Sequence, residues 1–395
     1  MAESSTKAFG RYLKTLRERR GLSLDDVASL SQTFPEKINK GYLSRCENGH
    51  QKLAFSKVIA LSRIFEVPAD VLVERMELDL ELDRVGGPET EGMSYAELHE
   101  AGKTALKKGR FIEAYAFLRD GIQKAGSDPV KKSFKDAAEQ DAMARMSCGT
   151  AARALGRHRF ALHEFLYLES TGAFGPKFYP IILERISNCH RSLGNLNAAD
   201  RYADESISKA ETYGDREFIG YVYYSKAHIM LLRSQFKAAA EMYQKAYQAH
   251  KEVGNLVDCA LALNSLAQCY FDLGRYSGAR RAAEASQKIT KAQGRQRSQA
   301  LSLVLLGEID EIENRPLQAK KRWKEAVTIA KRIKDRELRF KAEFVLYRRA
   351  LKERNHAVSR AICRRLTRLA PGMPADTHEL NAFKQLLAEE NIASS

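Results

Sequence analysis

GNLVDCALALNSLAQCYFDLGRYSGARRAAEASQKITKAQ, residues 254–293, is one period of a pattern that the chain repeats. Apolar residues recur at helical spacing from Leu256 to Leu273, Gly274-Arg275 interrupts them, and Tyr276 to Lys291 resumes the pattern. The stretch therefore reads as two antiparallel helices joined by a tight turn. Ala267 and Ala279 stand where the helices must approach closely, and Leu263, Leu266 and Tyr270 fill the gaps between them. One such pair cannot bury both of its faces, so copies must stack.

Copies appear on stepping 40 residues in either direction: Gly214, Gly254 and Gly294; Ala199, Ala239, Ala279 and Ala319; Ser187, Ala227, Ala267 and Gly307. Three phases locked to one period identify an array of helix pairs. Less regular copies precede it, with Gly102 and Ala114, then Gly149 and Ala161, and a last copy carries Tyr347 and Ser359. The small residue of the first helix, the aromatic three positions later and the alanine of the second helix (Ala267, Tyr270, Ala279) resemble the tetratricopeptide repeat (TPR). The resemblance implies about seven units over residues 95–370. A capping helix near Thr377 to Glu390 follows, within a C-terminal segment 371–395.

Residues 8–75 read as five short helices. The first is Ala8 to Arg20, with Phe9, Tyr12, Leu13 and Leu16 on one face and Gly21 as its stop. Ser23 caps the second, with Asp26 in the return position of a capping box. Asn39 caps the third, Lys40 to Asn48, and Gly49 stops it. The fourth runs from about Phe55 to Phe65, and the fifth starts near Pro68. The ordered stretches 9–17, 21–28, 42–49 and 60–68 resemble the Cro-type, or XRE, helix-turn-helix family. The joining of such a domain to a long-period TPR array is similar to the RRNPP-type peptide-responsive regulators. The expected architecture is all-α: a five-helix helix-turn-helix domain (1–75), an acidic linker (76–94) and a TPR-like α-solenoid (95–370).

The XRE resemblance implies that the third helix enters the major groove with Leu43 turned inward. Lys37, Asn39, Lys40, Tyr42, Ser44, Arg45 and Lys52 are then the candidate DNA-binding residues. Lys40 and Arg45 are expected to contribute to specific binding, as base or adjacent phosphate contacts, and Lys37 and Lys52 to act mainly on phosphate. Arg17 and Glu47 match an ion pair of the family and are structural. The chain departs from the family in two respects. Ser31 to Lys40 is about five residues longer than the usual turn, and Gly41 occupies a position where many relatives carry a base-reading side chain.

In the array, residues three before and one after the small position share one face of the first helix. They are Glu184 and Asn188, Tyr224 and His228, Asn264 and Gln268, then Val304 and Glu308. The run of amide, imidazole and phenol groups suits the backbone of an extended peptide. Glu184, Asn188, Tyr224, His228, Asn264, Gln268 and Glu308 are therefore the candidate effector-binding residues, in an inner groove of the array.

Composition narrows the function classes. The chain has a net charge of +15, but residues 1–75 contribute only +4 and residues 315–369 contribute +14. Residues 74–91 are acidic, and Gly86-Gly87-Pro88 breaks the chain there. The six cysteines form no C-x-x-C pair and read as reduced thiols. No apolar leader or membrane-length run is present, so a cytoplasmic protein is expected. No phosphate-binding loop, dinucleotide fingerprint, H-E-x-x-H or G-x-S-x-G motif occurs. The expectation is a non-enzyme without metal or cofactor: a homodimeric regulator that binds double-stranded DNA and senses a peptide or protein. The alternative is an interaction scaffold or adaptor, including an antitoxin-like one, whose XRE domain reads no sequence.

Overall fold

Local capping sets the first helix boundaries. After α1 (Ser5–Arg19), the Asp26 amide donates to Ser23 Oγ at 3.1 Å and the Ser23 amide donates to Asp26 Oδ2 at 2.7 Å, which starts α2 (Leu24–Leu30). Asn39 Oδ1 accepts the Tyr42 amide at 2.7 Å and starts α3 (Lys40–Glu47). The long connection between them is ordered by Ser31. This buried hydroxyl accepts the Ile38 amide at 2.9 Å and lies 3.0 Å from the Ile38 carbonyl, seating the Ile38 side chain in the core. The expected fourth helix divides into a 3₁₀ turn, Phe55–Lys57, and α4 (Val58–Ile64).

The computed structural model describes residues 5–125, 134–172, 175–176, 178–213, 216–371, 373 and 377–394; Gly214 of the glycine series lies outside them. The described residues contain helices and no strand. The chain divides into two compact units, residues 1–213 and 214–395.

The first unit continues with α5 (Ala69–Val85). Three helix pairs follow: α6 (Tyr95–Lys107) with α7 (Phe111–Lys124), α8 (Phe134–Ala154) with α9 (His158–Thr171), and α10 (Tyr179–Ser192) with α11 (Leu196–Tyr213). The second unit holds four pairs and a last helix. They are α12 (Arg216–Leu232) with α13 (Phe236–Glu252), α14 (Leu256–Asp272) with α15 (Tyr276–Ala292), α16 (Gln296–Ile312) with α17 (Pro316–Arg332), and α18 (Arg336–Lys352) with α19 (His356–Leu369), then α20 (His378–Ser394).

Within a pair, the small residue of the first helix receives the large residue sixteen positions on. A Cβ on Gly102 would lie 2.5 Å from Leu118, one on Gly149 2.9 Å from Phe165, and one on Gly307 2.2 Å from Trp323. The turn inside the pair needs a left-handed residue. Gly274 supplies it at φ +70°, and Ser234, Asn314 and Arg354, each a whole number of periods away, adopt the same conformation without glycine's freedom.

The acidic stretch expected as a linker is a helix as far as Val85. Leu78 and Leu82 are buried one turn apart, while Leu80 is exposed. Acids along this helix face arginines of the first repeats. Asp79 pairs with Arg75 at 2.9 Å and with Arg119 at 3.1 Å, and accepts the Tyr115 hydroxyl at 2.9 Å. Arg157 meets Glu77 and Glu81, and Arg159 meets Asp70 and Glu74. The alternation of leucine and acid is thus one half of an interface, with its cations supplied by α7 and α9.

Candidate nucleic-acid interface and effector groove

The third helix is fixed from behind by α1. A Cβ on Gly10 would stand 2.1 Å from the Cys46 carbonyl oxygen, so only glycine lets the helix backbones meet this closely. Arg17 donates from Nε and Nη2 to the two Glu47 oxygens at 2.7 and 2.8 Å, and from Nη1 to the Leu22 carbonyl at 2.8 Å. Leu43 is fully buried. What remains outside is polar: Lys37, Asn39, Lys40, Arg45 and Lys52 are exposed and Ser44 is half-buried. Lys40 reaches Asp25 at 2.6 Å and Arg45 Nε donates to Gln51 at 2.9 Å; both contacts lie at the surface, where water competes for them.

Tyr42 plays another part than the sequence suggests, and Asn39 caps α3 as expected. Tyr42 is 8% exposed, and its hydroxyl accepts the Ala54 amide at 2.7 Å. Its ring belongs to the core, because the turn after α3 folds back over it. Asn39 spends its carbonyl oxygen on the helix cap. Gly41 leaves its position open, with the Arg45 guanidinium 3.5 Å from where a Cβ would be. Cys46 is buried, and burial pushes its thiol up against the opposing pull of the Tyr42 contact, so it is held protonated. Phe55 and Ile59, exposed at 72% and 52%, border this region, and nothing in their spacing marks them beforehand.

The seven effector candidates are divided between the units. In the first unit, Glu184 and Asn188 are buried on α10, and the Asn188 amide donates to Glu184. Arg185 approaches Glu184 at 3.2 Å and Arg191 donates to the Asn188 oxygen at 3.2 Å. In the second unit, Tyr224 and His228 of α12 make edge-to-face contacts with Tyr243, with ring centroids 5.2 and 5.9 Å away. The Tyr224 hydroxyl meets Ser265 at 3.2 Å. Asn264 accepts from Ser302 at 2.6 Å and donates to the Ser298 carbonyl at 3.3 Å, so its amide ties α14 to α16. Gln268 donates to Asp272 at 3.0 Å.

Glu308 lies in a cavity of about 180 Å³, with Phe271, Ile312, Trp323 and Val345 as apolar walls and Arg348 at 3.7 Å. Burial raises the Glu308 carboxyl above its ordinary value, while Lys341 and Arg348 draw it partly back. Trp323 is buried, and its indole donates to the Val304 carbonyl at 3.1 Å. The sequence singled out Glu308 but not its apolar surroundings, which come from three other helices. The cavity can hold an apolar side chain beside a charged or polar group.

No helix among the described residues is long and apolar enough to cross a membrane. No curated protein matches the chain in sequence. Residues 8–76 match the family model described as a helix-turn-helix domain. Among solved structures, the apo form of RapI is similar at 15% identity and a TM-score of 0.58, covering 74% of this chain and 80% of that one. The apo quorum sensor NprR from B. thuringiensis is similar at 13% identity and 0.51, covering 84% and 95%. The Rap conjugation gene regulator of plasmid pLS20, in complex with the Phr peptide, is similar at 12% identity and 0.52, covering 95% and 100%. At these identities the likeness is one of fold. Residues 8–76 of this chain are therefore a helix-turn-helix domain, and the helix pairs behind it form a TPR-like array with the fold of those regulators.

Proposed function

We propose that the protein is a sequence-specific DNA-binding regulator, without catalytic activity, that acts in the cytoplasm as a homodimer. The observation that carries this reading is the third helix. It is braced by the buried Arg17–Glu47 pair while Lys40, Ser44 and Arg45 are left at the surface, flanked by Lys37 and Lys52. A helix held rigidly at its back with a short polar front is what major-groove reading needs. One domain reads a half-site, so a two-fold dimer doubles the site.

The array is the sensor, and the effector is a peptide or a protein segment taken on the first-helix face. His228, Gln268 and Glu308 are partly accessible there. Tyr224 and Asn264 shape the wall of the second unit through their bonds to neighbouring helices, and Glu184 and Asn188 belong to the first unit. The plasmid regulator of similar fold was solved with a peptide bound, which supports the same class of ligand here. A ligand with different affinity for two arrangements of the array shifts their populations.

Gel shift of the full-length protein with genomic fragments tests the regulator reading. Retention of particular fragments over competitor DNA is expected. Equal retention of all fragments, at every salt concentration, would favour an adaptor whose helix-turn-helix domain reads no sequence.

A further inference from the structure

In the second unit, the first helices of successive repeats touch, α14 on α16 and α16 on α18. The second helices α15, α17 and α19 are left to form the opposite side. There Lys321, Lys324 and Lys331 of α17 and Arg360, Arg364 and Arg368 of α19 are all exposed, and none pairs with a carboxylate among the described residues. The arginines are four apart and the lysines three and seven apart, so each set shares one helix face. Lys324 and Arg364 differ by one 40-residue period, which puts them at equal heights on successive second helices. The acids that would balance them are missing: α19 contains none, and α17 contains Glu325 alone.

The first helix between them is different. On α18, Arg339 meets Glu343 at 2.9 Å, Lys341 meets Glu379 at 2.9 Å, and Lys352 meets Glu311 at 3.1 Å. On the two flanking helices Lys320, Arg322 and Arg365 are likewise paired, with Glu353, Asp310 and Glu343, and the six exposed cations are the ones left unmatched among the described residues. Unmatched like charges at this density repel one another and favour a polyanion.

We infer that the outer faces of α17 and α19 bind the phosphate backbone of duplex DNA without regard to sequence. A duplex carries about one negative charge per 1.7 Å of axis, a density that a grid of lysine and arginine matches. A bilayer fits less well. The exposed apolar residues Leu317 and Val358 lie in the first turns of the two helices, so the cationic faces lack an apolar stripe to insert. The chain's own acidic helix α5 is already matched to Arg75, Arg119, Arg157 and Arg159. This inference goes beyond operator reading and stands apart from it, because phosphate contacts need no base sequence.

The test is fluorescence anisotropy of the full-length protein on a labelled duplex without operator, titrated across sodium chloride concentrations. Lys321→Gln, Lys324→Gln and Lys331→Gln form one variant, Arg360→Gln, Arg364→Gln and Arg368→Gln a second, and all six a third. Each lost phosphate contact reduces the log–log salt slope by about 0.9, so each triple variant should lose about 2–3 and the six-fold variant about 5. A Lys→Arg version of the first triple should keep the wild-type slope. Circular dichroism should show unchanged helicity, since all six positions are exposed. Arg45→Ala should weaken binding to an operator and relax preference at one base pair while keeping most of the non-specific slope, which separates failure of the reading helix from failure of the basic face. A six-fold variant with the wild-type slope overturns the inference. So does a wild-type protein that binds phosphatidylserine vesicles or polyglutamate as tightly as the duplex.

Discussion

Arg17 and Glu47, thirty residues apart, meet through two parallel hydrogen bonds of 2.7 and 2.8 Å between α1 and α3, and both side chains are buried. Removing one partner leaves the other charge in the core. Arg17→Met and Glu47→Gln should each destabilise the protein by about 3–5 kcal/mol in urea unfolding. The double variant Arg17→Met/Glu47→Leu should recover much of that loss. A double variant no more stable than either single one would mean that the pair acts through something other than its charges.

Gly10 makes a second prediction for the same contact. Its Cβ position is occupied by backbone, the Cys46 carbonyl, which cannot rotate away. Gly10→Ala should push α3 outward and cost about 1–3 kcal/mol or more, despite alanine's better helix propensity. Hydrogen exchange of the α3 amides would show it as faster opening. Unchanged protection would contradict this close packing.

On DNA, the exposed end of α3 should divide into two behaviours. Arg45→Ala should cost about 1–3 kcal/mol on an operator and relax preference at one base pair. Lys37→Ala and Lys52→Ala should weaken all sequences alike, each lowering the salt slope by about 0.9. Binding-site selection from a random library, repeated at two salt concentrations, distinguishes them. If Lys37→Ala changes the selected motif, that residue reads bases instead.

Trp323 is the chain's single tryptophan and forms one wall of the Glu308 cavity. Its emission should therefore change when a peptide effector is added, and Glu308→Gln should weaken that response. Gly307→Ala, whose new methyl would meet the indole nitrogen, should shift the emission without any ligand and destabilise by about 1–3 kcal/mol. Titration with candidate peptides reads both effects. An emission that stays fixed while operator affinity responds to peptide would place the sensor elsewhere.

Acid should loosen the first unit in a particular window. Burial drives the Glu164 carboxyl up, but Arg145 at 2.9 Å and the contact with His163 pull harder, and the net position lies well below the usual carboxylate range. A depressed carboxyl contributes stability above its unfolded value of about 4.3 and loses it as pH falls through that value towards the folded one. The melting temperature should fall below about pH 4, and Glu164→Gln should flatten that decline. Parallel wild-type and variant curves from about pH 6 to about pH 3, a span that brackets the unfolded carboxyl value, would refute the assignment.

What the sequence made legible was periodic or local. The 40-residue phases located the helix pairs, because small residues recur wherever two helices touch. Ser23, Asn39, Gly21 and Gly49 marked helix ends, because capping is a matter of a few neighbouring residues. The pairing of Arg17 with Glu47 came from family resemblance. The part of Tyr42 was not legible: whether a residue next to Leu43 faces DNA or the core depends on the turn at Ala54. Nor was Asn264, whose amide reaches residues 34 and 38 positions away. The acidic run 74–91 was ambiguous between an extension of the fifth helix and a segment lying against the repeats, because its counter-ions, Arg119, Arg157 and Arg159, lie much further along the chain.

The Arg75–Asp79–Arg119 cluster bears on how such proteins are re-engineered. Exchanging DNA-reading heads between sensor arrays invites a cut at the Gly-Gly-Pro break, residues 86–88, as though two modules were tied by string. Here that cut would graft a foreign fifth helix opposite Arg119, leaving a buried guanidinium facing whatever residue replaces Asp79. The transferable cassette is larger than the helix-turn-helix domain. It runs through the first two helix pairs, and a working chimera has to inherit α7 and α9 together with the head they hold.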